Sequence, residues 1–369
     1  MRATTLADLE CKLRPILTKL PPSFVTWLYS TGRKHFLKQL ANEIVDGRAY
    51  TPPKNMSRNL WGLDFQSPLM NAAGMFKNGE CIDMTFMQGA GGYLGGTGTW
   101  NPRTGNKNGK VHLPFTPYPN SYAASNSLGL PNNGDKNNAA KLSSVRNKLL
   151  PIGWSVMASP DISEDEKLEY LVRSMNAYEI AGVDWIEINE SCPNTGHARL
   201  QDGGLALRLE YIKDNFVVRL KRRLPIVVKF SNDTNIKKVP ELMDLLFENG
   251  FDGVNFGNTS KNYEMARNKI HPSDLKLFDY FTKRFEGGVS GKPLKEASLE
   301  LATCAVEYLR AGPPTQEFHI VRTGGIDSLD DVMQSERAGI SMNQWFTGYF
   351  EQFAKHGHGV YRELFRVAA

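Results

Sequence analysis

The 369-residue chain contains few cysteines, and they are far apart: Cys11, Cys81, Cys192 and Cys304. There is no CxxC pair and no His/Cys cluster, which argues against an iron–sulfur or zinc site, so no metal is predicted. This scatter suits a reduced cytoplasm better than a disulfide scaffold. The first residues lack an apolar core, which predicts no signal peptide, and no apolar run approaches the roughly 20 residues of a membrane span.

A strong charge of one sign is also lacking. Lys and Arg number 44 and Asp and Glu 39, a net charge of +5. Because the basic residues are scattered, no nucleic-acid partner is predicted, and the slight excess suits an anionic substrate or membrane surface. With 41% hydrophobic residues the chain can bury a large core, and its length suffices for one barrel of about 250–300 residues plus an appendage.

The N-terminal segment, residues 4–46, is predicted to be helical. The first helical series of apolar residues is Leu6, Leu9, Leu13, Ile16, Leu17 and Leu20. Pro22 suits the start of a second helix. That helix places Phe24, Trp27, Leu28, Phe36, Leu37 and Leu40 near one side, and Arg33, Lys34 and Lys38 elsewhere. Two interpretations stay open: a cap packed on the main domain, or a basic amphipathic surface that contacts a membrane.

Beyond a Pro- and Gly-containing linker, a strand–helix rhythm begins. The predicted domains are a helical cap at 1–46, a linker at 47–57 and a main domain at 58–369. Candidate strands are Pro68–Ala73, Gly92–Thr97, Ile152–Ala158, Asp184–Asn189, Pro225–Phe230, Gly253–Phe256, His319–Arg322 and Met342–Phe346. Candidate helices are Glu164–Ala181, Leu205–Arg222, Asn235–Asn249 and Leu294–Ala311. Eight strands with crossover helices predict a (β/α)8 barrel, with the Asn/Pro/Gly-rich segment Asn101–Asp135 as a loop over its mouth.

Polar residues follow several predicted strands. Asn189-Glu190-Ser191-Cys192-Pro193-Asn194 ends one of them, and it combines neutral hydrogen-bonding groups with one possible proton acceptor. A base must lie within hydrogen-bond reach of the proton it removes. A thiol with an ordinary pKa of about 8.5 serves near neutrality far better than a serine hydroxyl.

Three further segments carry residues suited to a planar, polar ligand. Small residues in Asn71–Glu80 allow a ring to approach the backbone, and Lys77 suits an anion. The segments Asn126–Asn132 and Asn258–Ser260 supply asparagines, whose amides both donate and accept hydrogen bonds.

Glycine-rich elements follow the last strands: Gly287–Pro293, Thr323–Asp327 and Phe346–Gly348. Barrel enzymes bind phosphate with these loops and a helix N-terminus. The Rossmann fingerprint is missing, which argues against a diffusing dinucleotide as the ligand.

These motifs, in their order over roughly residues 58–366, resemble those of dihydroorotate dehydrogenases. The resemblance implies FMN as cofactor, oxidation of dihydroorotate to orotate in pyrimidine (UMP) biosynthesis, and Cys192 as the base that removes the C5 proton. It implies substrate binding by Lys77, Asn126, Asn189, Asn194, Asn258 and Thr259. It implies FMN binding by Ala72, Ala73, Gly74, Thr97, Asn189, Lys229, Gly291, Gly324, Gly325, Phe346 and Thr347, with Lys229 near the N1/O2 edge of the flavin.

The resemblance is divided between the two branches of the family. Cys192 and the sequence of the segment Asn126–Asn132 resemble the soluble branch. Lys77 and the helical extension resemble the quinone-using, membrane-associated branch. Gly96 stands where the soluble branch usually has a lysine. Quinone is the expected oxidant, with fumarate as the alternative. The expected location is the cytoplasmic side, with peripheral contact to the inner membrane through residues 1–46.

Alternative functions are a flavin enzyme for another dihydropyrimidine and a catalytically silent paralogue that binds a ligand or partner protein. Glu187, Glu190 and Arg322 depart from the family pattern, and the sequence gives no reason for their charges near the barrel core. Glu190 is expected either to point away from the pocket or to pair with Arg322.

Overall fold

The structure, a computed structural model, describes residues 1–144, 150–190 and 204–366. Its strands are β1 Arg58–Leu60, β2 Leu63–Phe65, β3 Leu69–Asn71, β4 Tyr93–Gly98, β5 Lys107–Asn108, β6 Val111–His112, β7 Phe115–Tyr118, β8 Ala123–Asn126, β9 Ile152–Val156, β10 Trp185–Asn189, β11 Ile226–Phe230, β12 Gly253–Phe256, β13 Gly288–Gly291, β14 His319–Thr323 and β15 Met342–Trp345. Its helices are α1 Ala3–Leu17, α2 Pro22–Ala41, α3 Ile82–Gln88, α4 Asp135–Leu142, α5 Glu164–Ala181, α6 Leu205–Asn215, α7 Val239–Glu248, α8 Tyr263–Arg267, α9 Leu275–Phe285, α10 Lys295–Ala311, α11 Leu329–Ala338, α12 Thr347–His356 and α13 Val360–Phe365.

Eight strands form one parallel sheet, in the order β3-β15-β14-β12-β11-β10-β9-β4. The first and last strands of this order are joined by the backbone bonds from Gly91 N to Leu69 O (2.9 Å) and from Gly74 N to Gly96 O (2.6 Å). The Asn71 side chain adds a bond to Leu94 O at 2.7 Å. The predicted (β/α)8 barrel is confirmed, and each predicted strand overlaps an observed one.

The barrel strands are almost entirely buried because helices cover their outer faces. Every residue of β9, β10 and β11 is buried. Buried polar side chains on the barrel strands include Ser155, Glu187, Asn189, Lys229 and Asn255. Asn189 and Lys229 lie at or next to the carboxyl ends of β10 and β11, where the parallel topology brings them together.

The helical cap packs against the barrel through two different surfaces. Helix α1 lies against α12, and α2 lies against β7. Pro22 occupies the first turn of α2, as predicted. The face of α2 that is fully buried is formed by Val25, Thr26 and Ser30, and Thr26 Oγ1 lies 2.7 Å from Thr116 Oγ1. None of the described helices is long and apolar enough to cross a membrane.

The segment Asn101–Asp135 is more structured than the predicted loop. It contains the hairpin β5–β6 and the strands β7 and β8, and β8 pairs antiparallel with both β7 and the distant β13. Pro117 is compatible with β7 because β7 is the edge strand of this small sheet. The strand β13, which pairs with β8, lies more than 150 residues later, so local patterning could not reveal the sheet.

The helix predicted at Leu205–Arg222 is shorter than expected. Helix α6 ends at Asn215, and Phe216 leaves the helical region with φ −133° and ψ −59°. The Phe216 side chain is buried, and a short 3-10 turn, Val217–Arg219, follows. Two consecutive valines, at 217 and 218, also favour an early end, since β-branched side chains lose freedom in a helix.

Candidate active site

A cavity lies at the carboxyl ends of the barrel strands. Every predicted site residue within the described part of the chain lines it: Ala72, Ala73, Gly74, Lys77, Thr97, Asn126, Asn189, Lys229, Asn258, Thr259, Gly291, Gly324, Gly325, Phe346 and Thr347. The fold therefore brings residues from distant parts of the sequence around one space. Their individual roles remain predictions.

Asparagines from three elements meet at this cavity. Asn189 ends β10, Asn258 follows β12, and Asn126 ends β8 of the small sheet. Asn189 Nδ2 donates to Thr97 Oγ1 at 3.1 Å, and Asn258 Oδ1 accepts from the backbone N–H of Thr259 at 2.8 Å. These bonds fix the direction of the Asn189 and Asn258 amides, which can then meet a ligand with alternating donors and acceptors.

One side of the cavity is shaped by small residues after β3. Gly74 has φ +91°, and a Cβ placed there would stand 3.9 Å from both Lys77 Nζ and Phe346 Cε2. That Cβ would occupy space between two lining side chains, so the missing side chain leaves room for a flat group. Lys77 places a cation at the same side.

Another side of the cavity is built from glycines and a helix N-terminus. A Cβ at Gly291 would stand 2.3 Å from Tyr122 O, and one at Gly325 would stand 2.5 Å from Lys295 Cα. Both positions also have positive φ, +93° and +70°, which glycine adopts without strain. Thr347 begins α12, whose first N–H groups have no partner within the helix and suit an anion. The donor set fits a phosphate group.

Cys192 and Asn194 lie outside the described residues, so the structure does not place the predicted base. The other cysteines, Cys11, Cys81 and Cys304, are free thiols, and none of them lines the cavity. Burial raises the pKa of the Cys81 thiol well above its ordinary value, so this cysteine is a poor proton acceptor. Among the described residues, no group of three or more His, Cys, Asp or Glu side chains could hold a metal ion.

Of the two alternatives for Glu190, pairing with Arg322 is wrong and a position away from the pocket is supported. Glu190 Oε2 lies 3.1 Å from Arg208 Nη2 of α6, and neither residue lines the cavity. The buried Arg322 side chain instead donates to Ser298 Oγ at 3.0 Å and to Ser335 Oγ at 2.9 Å. Arg322 ends up behind the barrel wall because its side chain points outward, toward α10 and α11.

A second cavity lies between the two cap helices and the barrel. We call it the cap cavity. Its lining is almost entirely apolar and includes Leu6, Leu9, Leu13, Leu17, Leu28, Phe36, Leu37, Phe115, Ala124 and Phe350. Phe346 and Thr347 line both cavities, so the two spaces are separated by little more than these residues.

Charged groups occur at two places in the cap cavity. Arg14 Nη2 lies 2.6 Å from Glu10 Oε2, and Tyr29 donates to Glu10 Oε1 at 2.7 Å. Burial by itself would lower the pKa of Arg14, but its ion pairs with Glu10 and Glu351 raise it. The second charged group is Arg33, whose Cζ lies 5.9 Å from the centre of the Phe115 ring.

Sequence reasoning placed Arg33 away from the apolar side of α2, and this was wrong. Arg33 lines the cap cavity together with Tyr29 and Leu37. Residues four apart share one helix face, so the spacing of Tyr29, Arg33 and Leu37 could have predicted that Arg33 lies on the same face as these two residues. In contrast, Phe24 and Trp27 are 45% and 42% exposed and face away from the barrel.

A parallel barrel with polar side chains gathered at its carboxyl end is the architecture of an enzyme. The family model described as dihydroorotate dehydrogenase matches residues 55–367. The chain therefore belongs to the dihydroorotate dehydrogenase family and is an oxidoreductase.

Individual relatives agree with this assignment. The dihydroorotate dehydrogenase (quinone) of Aeromonas salmonicida is 29% identical over 294 residues, which cover 78% of this chain and 81% of that protein. The protein of the same name from Wigglesworthia glossinidia brevipalpis is 29% identical over 323 residues, covering 85% and 88%. The ligand-free DHODH of Eimeria tenella superposes with a TM-score of 0.72 at 21% identity, covering 94% of this chain and 92% of the other. At that identity the superposition supports the fold.

Proposed function

We propose that this protein is an FMN-dependent dihydroorotate dehydrogenase that oxidises dihydroorotate to orotate in pyrimidine biosynthesis and passes the electrons to a quinone. The observation that carries the proposal is the single cavity that gathers the amides, the two lysines and the glycine cradle. Family membership over residues 55–367 supports the same reaction.

The cavity residues fit FMN. Gly291, Gly324, Gly325 and Thr347 would hold its phosphate, and the small residues around Gly74 leave space for the planar ring. Lys229 would stand near the ring edge where negative charge grows on reduction. When bound, FMN supplies the acceptor for the hydride that leaves C6 of the substrate.

The remaining work is done by side chains of the protein. Cys192 accepts the C5 proton of dihydroorotate. Asn126, Asn189, Asn194 and Asn258, with Thr259, hold the ring by hydrogen bonds, and Lys77 meets the negative charge of the substrate. A site built from amides discriminates against analogues that lack the matching N–H and C=O groups, because its own buried polar atoms would then be unpaired.

The cap cavity supports a quinone as the oxidant. It is apolar, and it meets the polar cavity at Phe346 and Thr347. Leu9 and Leu13 line it and are also 43% and 42% exposed, so it opens at the surface beside apolar side chains. A lipid-soluble oxidant matches this lining, whereas fumarate, a small dianion, does not.

The test compares quinone, fumarate and NAD as oxidants of the reduced protein, with an artificial dye as reference. We expect bound yellow flavin, bleaching by dihydroorotate, and reoxidation fastest with quinone. Bleaching with fastest reoxidation by fumarate would place the chain in the alternative, soluble type. No bleaching by dihydroorotate, but bleaching by another dihydropyrimidine, would replace the proposed substrate. No flavin at all would overturn the proposal.

The outer surface of the cap suits peripheral contact with a membrane. Its exposed apolar residues include Leu9, Leu13, Ile16, Leu20, Phe24 and Trp27. Such a patch would bury apolar area in the interfacial region of a bilayer. The test is flotation with vesicles that carry anionic lipid. Ile16→Glu should weaken binding, while Ile180→Glu, at an 85% exposed position on α5, should not. Equal binding by both variants would contradict contact through the cap.

A further inference from the structure

A buried ion pair lies just beneath the polar cavity. Lys229 Nζ is 3.4 Å from Glu187 Oε1, and the side chains are 4% and 1% exposed. The two residues come from the neighbouring strands β11 and β10. Lys229 lines the cavity, but Glu187 does not. The carboxylate therefore stands one layer deeper in the barrel than the ammonium.

Side chains from two further strands hold the Glu187 carboxylate. Its Oε2 accepts from Asn255 Nδ2 at 2.8 Å and from Gln344 Nε2 at 2.9 Å. The Thr323 hydroxyl lies 3.0 Å from the amide oxygens of both Asn255 and Gln344. Burying a carboxylate is costly unless it is hydrogen-bonded and paired. The two amides satisfy Oε2, whereas Oε1 makes no hydrogen bond among the described residues and faces the Lys229 ammonium.

This network extends to the polar cavity, which distinguishes it from an ion pair that only stabilises the fold. Lys229, Thr323 and Gln344 all line the cavity, so three of the five members meet the proposed cofactor space. A second buried carboxylate of the barrel, Asp252, pairs with Arg223 at 2.5 Å. It precedes β12, at the opposite end of the barrel from the cavity.

We propose that Glu187 is a positioning residue for Lys229, holding its ammonium group toward the flavin ring while balancing its charge. This inference rests on the proposed function. The pair contributes a net charge near zero beneath the ring, so the preference of the site for reduced flavin, which carries more negative charge, is moderate. Removing either partner leaves the other charge uncompensated in a region of low dielectric constant.

The variants Glu187→Gln, Lys229→Met and their combination test this idea. Each is measured in the presence of excess FMN, and the readouts are the midpoint potential of the bound flavin and the FMN dissociation constant. Glu187→Gln leaves a bare cation, so its potential should rise, corresponding to at least about a tenfold gain in the two-electron reduction equilibrium, or about 30 mV. Lys229→Met leaves a bare anion, so its potential should fall by a similar amount and FMN should bind less tightly.

The combined variant restores neutrality, so its potential should return toward that of the unmodified protein. Asp252→Asn is the matched control, since it removes a buried, ion-paired carboxylate far from the cavity and should leave the potential unchanged. An unchanged potential in Glu187→Gln, or shifts of the same sign in both single variants, would overturn the inference. The proposed function fails separately, when the unmodified protein binds no flavin or when dihydroorotate does not reduce it.

Discussion

Arg14 of α1 and Glu351 of α12 form an ion pair in which Nη1 lies 2.6 Å from Oε1. The two side chains are 10% and 13% exposed, and 337 positions separate them in the sequence. This contact fastens the first cap helix to the helix that begins between the two cavities. Loss of this ion pair should therefore change the cap cavity more than the polar cavity.

Glu351→Gln should loosen the cap. Arg14 keeps Glu10 as a partner, so the expected cost is about 1–2 kcal/mol, less than for a fully orphaned charge. The ratio of docked to loose cap should fall roughly 5- to 30-fold, so quinone turnover should fall while dye reduction stays nearly unchanged. The control is Glu169→Gln, which breaks a pair on α5 whose two side chains are about half exposed and should cost less than about 1 kcal/mol. Equal losses in the quinone and dye assays would contradict a role confined to the cap.

Arg33 should act in quinone binding. Among the described residues its guanidinium makes no ion pair, and burial lowers its pKa to about 10, so it stays charged near neutral pH. A charged donor in an apolar cavity suits a quinone carbonyl, and such hydrogen bonds contribute about 1.5–3 kcal/mol. Arg33→Leu should raise the KM for quinone at least about tenfold. Lys34→Leu, at the exposed neighbouring position, serves as control. An unchanged KM in Arg33→Leu would exclude this contact.

Cys192→Ala should abolish most of the reaction with dihydroorotate while leaving FMN bound. A positioned base contributes about 10²- to 10⁴-fold, so the rate of flavin bleaching measured by stopped flow should fall by that factor. Cys304→Ala, at a partly exposed site on α10, should leave the rate unchanged. Equal rates for the unmodified protein and Cys192→Ala would remove the cysteine from the mechanism.

Lys77→Met should weaken binding of the anionic product. Hydrogen bonds to charged groups contribute about 1.5–3 kcal/mol, so the dissociation constant for orotate, followed by the flavin spectrum, should rise roughly 10- to 100-fold. Lys141→Met changes an exposed lysine of α4 and provides the comparison for loss of one positive charge. If both variants bind orotate as the unmodified protein does, Lys77 does not contact the ligand.

The stability of the protein should depend on pH through Asp135. Burial raises the pKa of its carboxyl to about 6 from an ordinary 3.8, so the folded protein binds this proton more tightly than the unfolded chain. The resulting stabilisation is complete below the unfolded pKa and is lost as pH rises through 6. Relative to Asp135→Asn, the unmodified protein should lose about 1–1.5 kcal/mol of unfolding free energy between pH 5 and pH 8. Urea unfolding measures the unfolding free energy of both proteins at each pH. If the two free energies change with pH in parallel, the pKa of Asp135 is not raised in the folded protein.

Much of the candidate site could be predicted because its residues stand at strand ends. Asn189, Lys229 and Gly324 each follow a recognisable apolar run, and parallel topology brings the ends of such runs to one face. The structure is needed to explain why position 98 is a glycine, because a Cβ there would stand 1.8 Å from Asp135 Oδ1. Local sequence could not indicate which helix would press against that strand.

The alternation of apolar strands and helices was enough to predict the barrel, and the resemblance to dihydroorotate dehydrogenases implied many of the residues that line the polar cavity. The packed structure was needed to show that Glu187 faces Lys229, that Glu190 pairs with Arg208 rather than Arg322, and that Arg33 enters the cap cavity. Such contacts depend on which side chains distant segments bring within a few ångströms, and that choice is made when the whole core packs.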